Sequence, residues 1–174
     1  MNKEKLIKNV RNIPDFPIPG IQFKDATTLF KDTECLQTLS DILYDTYKNK
    51  GITKVAAIES RGFIMAPILA TRLNAGFIPI RKPGKLPAET IEITYSKEYG
   101  TDTIQIHKDA INNNDIILLH DDLLATGGTM KAAYELVKIL NPKSIYINFI
   151  IELEELKGRT IFDKNIQIES ILKM

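Results

Sequence analysis

The stretch from residue 116 to residue 129 carries the clearest potential for chemistry. It reads IILLHDDLLATGGT, which is an apolar run, two adjacent acids and then a turn rich in glycine and hydroxyl groups. This order predicts a buried strand, a loop and a helix, with the amphipathic residues 130–140 in the helix. Ligands of open parallel sheets bind at the carboxyl ends of the strands, where this loop would lie. The stretch is therefore the first candidate for a binding site.

The turn after the strand has the groups that a phosphate monoester requires. It comprises Ala125, Thr126, Gly127, Gly128 and Thr129. Glycines let the backbone approach an anion closely, hydroxyls donate hydrogen bonds, and free N–H groups at a helix start carry partial positive charge. Neither a Walker A string nor the dinucleotide string GxGxxG occurs in the chain. The turn is predicted to bind a terminal phosphate.

The two acids, Asp121 and Asp122, must face a different part of the ligand. Like charges ~4 Å apart repel by roughly 1 to 4 kcal/mol, so these acids would not bind the phosphate itself. Ionised carboxylates only accept hydrogen bonds, and vicinal ribose hydroxyls are suitable donors. Acids and turn together predict a site for ribose 5-phosphate. An ordinary strand, turn and helix with solvated acids is the alternative, whereas a response-regulator receiver carries its acidic pair on its first strand.

Two other predicted strands also end in polar residues. Residues 59–62 (Glu-Ser-Arg-Gly) follow one apolar run, and Arg81, Lys82 and Lys85 follow the next. Parallel strands end at one edge of a sheet, so these cations are expected to face the ribose site, although a solvated basic surface is the ordinary explanation for such a cluster. Charge-assisted bonds to phosphate are worth roughly 1.5 to 3 kcal/mol each. A ligand with phosphates at both ends is predicted, which describes 5-phosphoribosyl 1-pyrophosphate (PRPP).

The elements around these groups predict one α/β domain over residues 1–174. Strands alternate with helices, which is typical of a parallel sheet. The N-terminal arm, about residues 1–30, is predicted to begin with a short helix, and the three prolines between positions 13 and 20 should make that stretch extended. Residues 81–107, here called the hood, form a long excursion broken by prolines and glycine, which suggests a weakly packed flap.

Composition restricts partners and compartment. The hydrophobic content of 44% and the charged content of 26% are typical of a globular protein. A net charge of +1 offers no general attraction for nucleic acid or a membrane surface, so neither is an expected partner. The single cysteine, Cys35, and an N-terminus without an apolar segment favour a cytoplasmic location. The two histidines, His107 and His120, are expected to be structural.

Five motifs in this order resemble the type I phosphoribosyltransferases, and specifically members that use adenine. They are FPIPGIQFKD (16–25), ESRGF (59–63), RKPGKLP (81–87), YSKEYG (95–100) and DDLLATGGT (121–129). The resemblance implies a central, mostly parallel sheet flanked by helices, a base-binding arm and a flexible hood. It also implies a homodimer that converts adenine and PRPP to AMP and pyrophosphate in purine salvage.

The resemblance also assigns roles to residues. On the arm, Gln22, Phe23 and Lys24 would hold adenine, with Leu123 on the opposite side of the ring. The pyrophosphate site would comprise Glu59, Ser60 and Arg61, in a loop that often contains a cis peptide, together with Arg81, Lys82 and Lys85. Mg²⁺ would bridge pyrophosphate and ribose hydroxyls with no direct protein ligand, touching Asp121 at most through water.

The hood would carry Glu98 and Tyr99. Glu98 would act as the catalytic base at adenine N7, because adenine loses a proton as N9 attacks the ribose, and Tyr99 would help the hood to exclude water. Two alternatives stay open: an enzyme for hypoxanthine or xanthine, and a non-catalytic regulator that senses PRPP. The regulator would need a DNA-binding segment, and no basic helix precedes the arm.

Overall fold

The computed structural model describes residues 3–16, 18–96 and 100–174. The helices and strands follow in chain order: α1 (Lys3–Asn9), β1 (Arg11–Pro14), β2 (Gln22–Asp25), α2 (Thr27–Lys31), α3 (Thr33–Tyr47), β3 (Lys54–Ile58), α4 (Gly62–Arg72), β4 (Gly76–Ile80), β5 (Thr90–Ser96), β6 (Thr101–His107), β7 (Ile116–Leu124), α5 (Gly128–Ile139), β8 (Ser144–Glu152) and β9 (Ile168–Lys173). Two short 3₁₀ turns, Glu154–Leu156 and Gly158–Ile161, lie between β8 and β9.

The central sheet has five parallel strands in the order β4-β3-β7-β8-β9. Its inner strands are apolar runs buried on both faces, as parallel sheets covered by helices require. Helices α3 and α4 pack on one face, with Leu43 and Met65 fully buried. Helix α5 covers the other face through Leu136 and Val137. The α/β fold with a parallel sheet flanked by helices is therefore confirmed.

The arm contains helices α1 and α2 and an antiparallel hairpin of β1 and β2. The expectation of an extended segment is wrong for residues 18–20, which form the bend and turn of this hairpin. Asp25, at the end of β2, anchors this hairpin. It accepts hydrogen bonds from Arg11 Nη2 at 2.5 Å and from the Thr27 N–H at 2.9 Å. Burial by itself would raise the pKa of Asp25, but the bonds from Thr27 and Arg11 outweigh burial and lower this pKa to about 2. The carboxylate therefore stabilises the folded arm.

Replacing Asp25 with asparagine should lower the free energy of unfolding at pH 7 by about 2 kcal/mol. The pKa of Asp25 in the folded protein is about 2, below the value near 3.9 of an unfolded chain. The stabilisation is therefore present above about pH 4 and is lost as the pH falls towards the folded pKa. Urea unfolding at pH 7 and at about pH 3 measures the difference. The exposed Asp109→Asn is the control, and an equal cost for both variants would contradict this role of Asp25.

Strands β5 and β6 of the hood are better packed than the sequence suggested. Strands β5 and β6 pair as an antiparallel ribbon, and a bridge from Arg81 to Gln105 ties this ribbon to the end of β4. On β6, Ile104 is 3% exposed and Ile106 is fully buried, within the core that α5 also covers. The expectation of a weakly packed excursion is therefore wrong for β6. Its alternate residues face the core, which prolines and glycine earlier in the segment did not indicate.

Candidate active site

Strand β7 carries both acids of the predicted ribose site, and the two acids differ in burial and in hydrogen-bond partners. Asp122 is 3% exposed, and its Oδ2 accepts a hydrogen bond from Arg61 Nε at 2.5 Å. Asp121 is half-buried, and its Oδ1 accepts from the Asp122 N–H at 2.9 Å. Arg61 therefore neutralises Asp122, whereas Asp121 makes no ion pair with the described residues.

The surroundings of Asp121 disfavour the ionised form of its carboxyl group. Burial raises the pKa of this carboxyl well above its ordinary value, and the neighbouring Asp122 carboxylate raises it further. Both causes act because the group is partly enclosed at the sheet edge and lies beside a second acid. Hydroxyl donors from a ligand would relieve this penalty. Asp121 is accordingly the acid that is ready to accept them.

The phosphate turn begins a helix, as its sequence predicts. Gly127 has a left-handed backbone with φ of 88°, and Gly128 is the first residue of α5. The Gly127 carbonyl accepts the N–H of Lys131 at 2.9 Å, so the N–H groups of residues 128–130 precede this bond and have no carbonyl partner within α5. A cavity of about 220 Å³ lies over this turn, lined by residues 121–130 together with Arg61 and Phe149. The turn can hold an anion without a lysine.

A second cavity, of about 290 Å³, shares the acids with the first. Its lining includes Glu59, Ser60, Lys82, Tyr95 and Asp102. Four residues line both cavities: Arg61, Asp121, Asp122 and Thr129. The acids therefore lie between the predicted phosphate turn and a cavity whose lining also includes the cations Arg61 and Lys82. A sugar with phosphates at both ends needs this order of groups.

The predicted pyrophosphate cations are already paired with acids. Glu59 accepts from Arg81 Nε at 2.7 Å and from Lys85 Nζ at 3.1 Å, and Lys82 Nζ lies 3.3 Å from Asp102 Oδ2. Burial opposes ionisation of Glu59, but the bonds from Arg81 and Lys85 prevail and lower its pKa. The Glu59–Ser60 peptide bond is cis, as the family resemblance implied. Lys82 lines the larger cavity, whereas Arg81 and Lys85 surround the Glu59 side chain.

The arm meets the site through Phe23. The Arg61 guanidinium lies 5.7 Å from the centre of the Phe23 ring, so one arginine contacts both the arm and Asp122. Phe16 packs edge-on against Phe23 at 5.1 Å between ring centres. Leu123 follows the acids and lines the cavity over the phosphate turn. Of the predicted adenine residues, Phe23 thus contacts Arg61, and Leu123 lines a cavity that Arg61 also lines.

The hood reaches the phosphate turn through a contact that the sequence did not indicate. The Tyr95 hydroxyl donates to Thr129 Oγ1 at 3.1 Å. Tyr95 belongs to the YSKEYG motif, but its position in an alternating strand indicates only which face it occupies. The predicted base, Glu98, and the neighbouring Tyr99 lie outside the described residues.

Both histidines have structural partners. His120 is fully buried, and its Nδ1 lies 2.9 Å from Asn148 Oδ1 on the adjacent strand. Burial lowers the pKa of His120 to about 4, so the ring is uncharged at neutral pH. His107 Nε2 accepts the N–H of Ala88 at 3.4 Å. These contacts agree with the structural roles expected for them.

Comparison with known proteins identifies relatives along the whole chain. Residues 26–169 match the phosphoribosyl transferase domain family. The adenine phosphoribosyltransferase of Bacteroides thetaiotaomicron is 71% identical over 174 residues, covering 100% of this chain and 99% of that protein. The crystal structure of the adenine phosphoribosyltransferase from Thermoanaerobacter pseudethanolicus has a TM-score of 0.94 at 43% identity, covering 99% of this chain and 100% of that one. The Giardia lamblia enzyme, complexed with 9-deazaadenine, has a TM-score of 0.94 at 39% identity and covers 100% and 98%.

The parallel sheet, the acid pair at its edge and the matched domain define a phosphoribosyltransferase of the type I fold. The relatives of high identity match the full length of the chain, and they are adenine phosphoribosyltransferases. The chain therefore belongs to the adenine phosphoribosyltransferases.

Proposed function

We propose that the two cavities joined at Asp121 and Asp122 are where PRPP and adenine react to give AMP and pyrophosphate. The observation that carries this proposal is the shared lining: the acids lie between the phosphate turn and the cavity that contains Lys82. A ribose bound at the acids would have its 5-phosphate at the turn and its pyrophosphate in the other cavity. The reaction makes the protein a pentosyltransferase of purine salvage.

The ribose end uses hydrogen bonds for positioning. Asp121 would accept hydrogen bonds from the vicinal ribose hydroxyls. Asp122 accepts a hydrogen bond from Arg61, and this bond would keep Arg61 and its loop in place. The 5-phosphate would accept hydrogen bonds from the backbone N–H groups of residues 125–129 and from the hydroxyls of Thr126 and Thr129. A sugar fixed at both ends presents its anomeric carbon in one orientation, which removes much of the entropic barrier to attack.

At the pyrophosphate end, the cations that would bind the ligand already pair with acids. Ser60, Arg61 and Lys82 line the cavity in which pyrophosphate would bind. Arg81 and Lys85 now pair with Glu59, so we infer that pyrophosphate binds at their remaining N–H groups while Glu59 keeps them in position. Both side chains are partly exposed, which leaves donors available to a ligand. Glu59 itself would not contact pyrophosphate, because like charges repel.

The base end selects adenine. Phe23 and Leu123 would enclose the ring, and the backbone at Gln22 and Lys24 would distinguish an amino group from an oxo group. The Giardia lamblia relative was crystallised with 9-deazaadenine, which supports a similar base site in this chain. Glu98 would take the proton that adenine loses, and the hood, which Tyr95 joins to Thr129, would exclude water from the oxocarbenium-like transition state.

Magnesium is part of the proposal. Among the described residues no group of three or more His, Cys, Asp or Glu side chains could hold a metal ion by itself. Mg²⁺ usually keeps several waters and is bound largely by substrate phosphates, and Asp121 is suited to contact such an ion through water because no cation pairs with it among those residues. When bound with PRPP, Mg²⁺ would offset the charge of the leaving pyrophosphate.

Assembly and location follow from family resemblance. We propose a homodimer, and partly exposed Ile64 and Phe77 on α4 and β4 are apolar groups that a second copy would cover. A cytoplasmic location agrees with the buried free thiol of Cys35. In the described part of the chain, no helix is long and apolar enough to cross a membrane. Nucleic acid is not a proposed partner.

A purine comparison tests the proposed substrate. The purified protein with PRPP and Mg²⁺ should use adenine with a kcat/KM at least about 100-fold above that for hypoxanthine or xanthine, because a site built to bond an amino group leaves polar groups unpaired with an oxo purine. Product formation is followed by absorbance or chromatography, and chelation of Mg²⁺ should stop it. Faster turnover of hypoxanthine would overturn the base assignment. Tight PRPP binding without any nucleotide product would indicate a regulator.

A further inference from the structure

The phosphate turn rests directly on a segment that no motif indicated. A Cβ atom built on Gly158 would lie 2.0 Å from the Ala125 carbonyl oxygen and 3.0 Å from Leu124 Cδ1. A Cβ atom on Gly127 would likewise lie 2.6 Å from the Gly158 carbonyl oxygen. Neither distance leaves space for a methyl group, so the two backbones are in van der Waals contact. The segment from Lys157 to Ile161 therefore forms the floor of the phosphate turn.

Arg159 holds this floor in place. Its Nε and Nη2 donate to the two carboxylate oxygens of Glu152 at 3.0 and 2.6 Å, and Nη1 donates to the Ile168 carbonyl at 2.6 Å. Glu152 is 5% exposed, and the bonds from Arg159 lower its pKa despite burial. The planar guanidinium thus joins the end of β8 to the start of β9, with the bidentate geometry that lysine cannot reproduce.

The floor is also tied to the strand that carries the acids. Glu152 pairs with Leu124 in the register of β7 and β8, and the Leu153 N–H donates to the Leu124 carbonyl at 2.9 Å. Gly158 and Arg159 do not belong to the residues that line either cavity at the site. Any effect they have on a ligand must therefore pass through the turn that they support.

We propose that Gly158 and Arg159 are positioning residues for the 5-phosphate end of PRPP and AMP. The inference rests on the proposed function of residues 125–129 as the phosphate turn. Backbone N–H groups bind an anion well only when they are held within about 0.5 Å of the productive geometry. The floor supplies that constraint from below, because the turn cannot relax towards Gly158 without a clash.

Gly158→Ala isolates the contact. Gly158 does not have a left-handed backbone, so alanine is compatible with its own conformation, and the obstacle is the Ala125 oxygen. The added methyl must displace the turn. We expect the Kd for AMP, measured by calorimetry, to rise by at least about tenfold, while the Kd for pyrophosphate stays within about twofold, because pyrophosphate binds at the other cavity.

Two comparisons separate positioning from folding. Gly76→Ala is the matched control, since its Cβ would meet Lys54 Cγ at an ordinary 3.7 Å. It should bind AMP as the native chain does. Arg159→Gln should weaken AMP selectively, and Arg159→Lys should restore only part of the loss, because one ammonium replaces a two-bond contact. Should Gly158→Ala not fold, Arg159→Gln gives the same comparison of AMP with pyrophosphate.

The outcomes are distinct. Selective loss of AMP affinity in Gly158→Ala or Arg159→Gln supports the inference. Native AMP affinity in both variants overturns it, and so does equal weakening of AMP and pyrophosphate, which would indicate general destabilisation. Failure of the native chain and of Gly76→Ala to bind AMP would instead overturn the proposed function.

Discussion

Replacing Asp121 with alanine is expected to lower kcat/KM for PRPP by at least about 100-fold. Two ribose hydroxyls would lose a charged acceptor, and each such bond is worth roughly 1.5 to 3 kcal/mol. Since ~1.4 kcal/mol corresponds to a factor of ten, two bonds account for the expected loss. Steady-state kinetics with adenine saturating and PRPP varied measures it. Asp121→Asn, which keeps one acceptor oxygen, should lie between alanine and the native chain.

The stability of these variants should change in the opposite direction to their activity. Because burial and Asp122 raise the pKa of Asp121, its charged form is unfavourable in the folded protein at neutral pH. Removing the charge in Asp121→Asn should therefore leave the Tm unchanged or raise it. Functional sites commonly show this conflict between stability and activity. Native kcat/KM for PRPP in Asp121→Ala would show that the ribose is bound elsewhere.

Replacing Glu98 with glutamine should lower kcat by about 100- to 10,000-fold, the usual contribution of a positioned base. The KM for PRPP should change little, because the ribosyl substrate is bound by the turn and by Asp121. Tyr95 lies three positions earlier, and its hydroxyl bonds to Thr129, so strand β5 of the hood contacts the phosphate turn. Single-turnover kinetics would separate the chemical step from product release.

The matched control for Glu98 lies on the same hood. Glu92 is exposed on β5 and accepts a hydrogen bond from Gln105 Nε2 at 2.7 Å. Glu92→Gln removes the same charge from the hood without removing the proposed base, and it should keep kcat within about twofold of the native value. A similar loss in both variants would mean that charge on the hood matters more than a base at position 98.

The elements that build the site were predictable because their signals are local. Apolar runs at residues 55–58 and 116–119 predicted the inner strands β3 and β7. At the start of α3, the Asp32 side chain accepts the N–H of Cys35, which is also a local contact. The strand carrying the acids nevertheless continues to Leu124. Its pairing with β8 includes Leu124 with Glu152, and such a partner cannot be read from the composition of one segment.

Charge pairing at the site was not predictable. Arg61 and Asp122 are 61 positions apart, and Glu59 and Arg81 are 22 apart. The sequence presented the three cations after β4 as free groups for pyrophosphate, whereas the structure pairs two of them with Glu59 and one with Asp102. Which acidic side chain pairs with which basic side chain depends on the register of neighbouring strands and on side-chain direction. Neither is a property of local sequence.

The order of strands, helices and turns, and the chemical types at each strand end, follow from the sequence by itself, because periodicity and backbone preference act over a few residues. The class of ligand follows too, since glycines at a helix start and adjacent acids have few other uses. Tertiary structure alone decided that Arg61 neutralises Asp122 and that Gly158 supports the turn at Gly127. These contacts join segments distant in the chain, and only packing of the sheet brings them together.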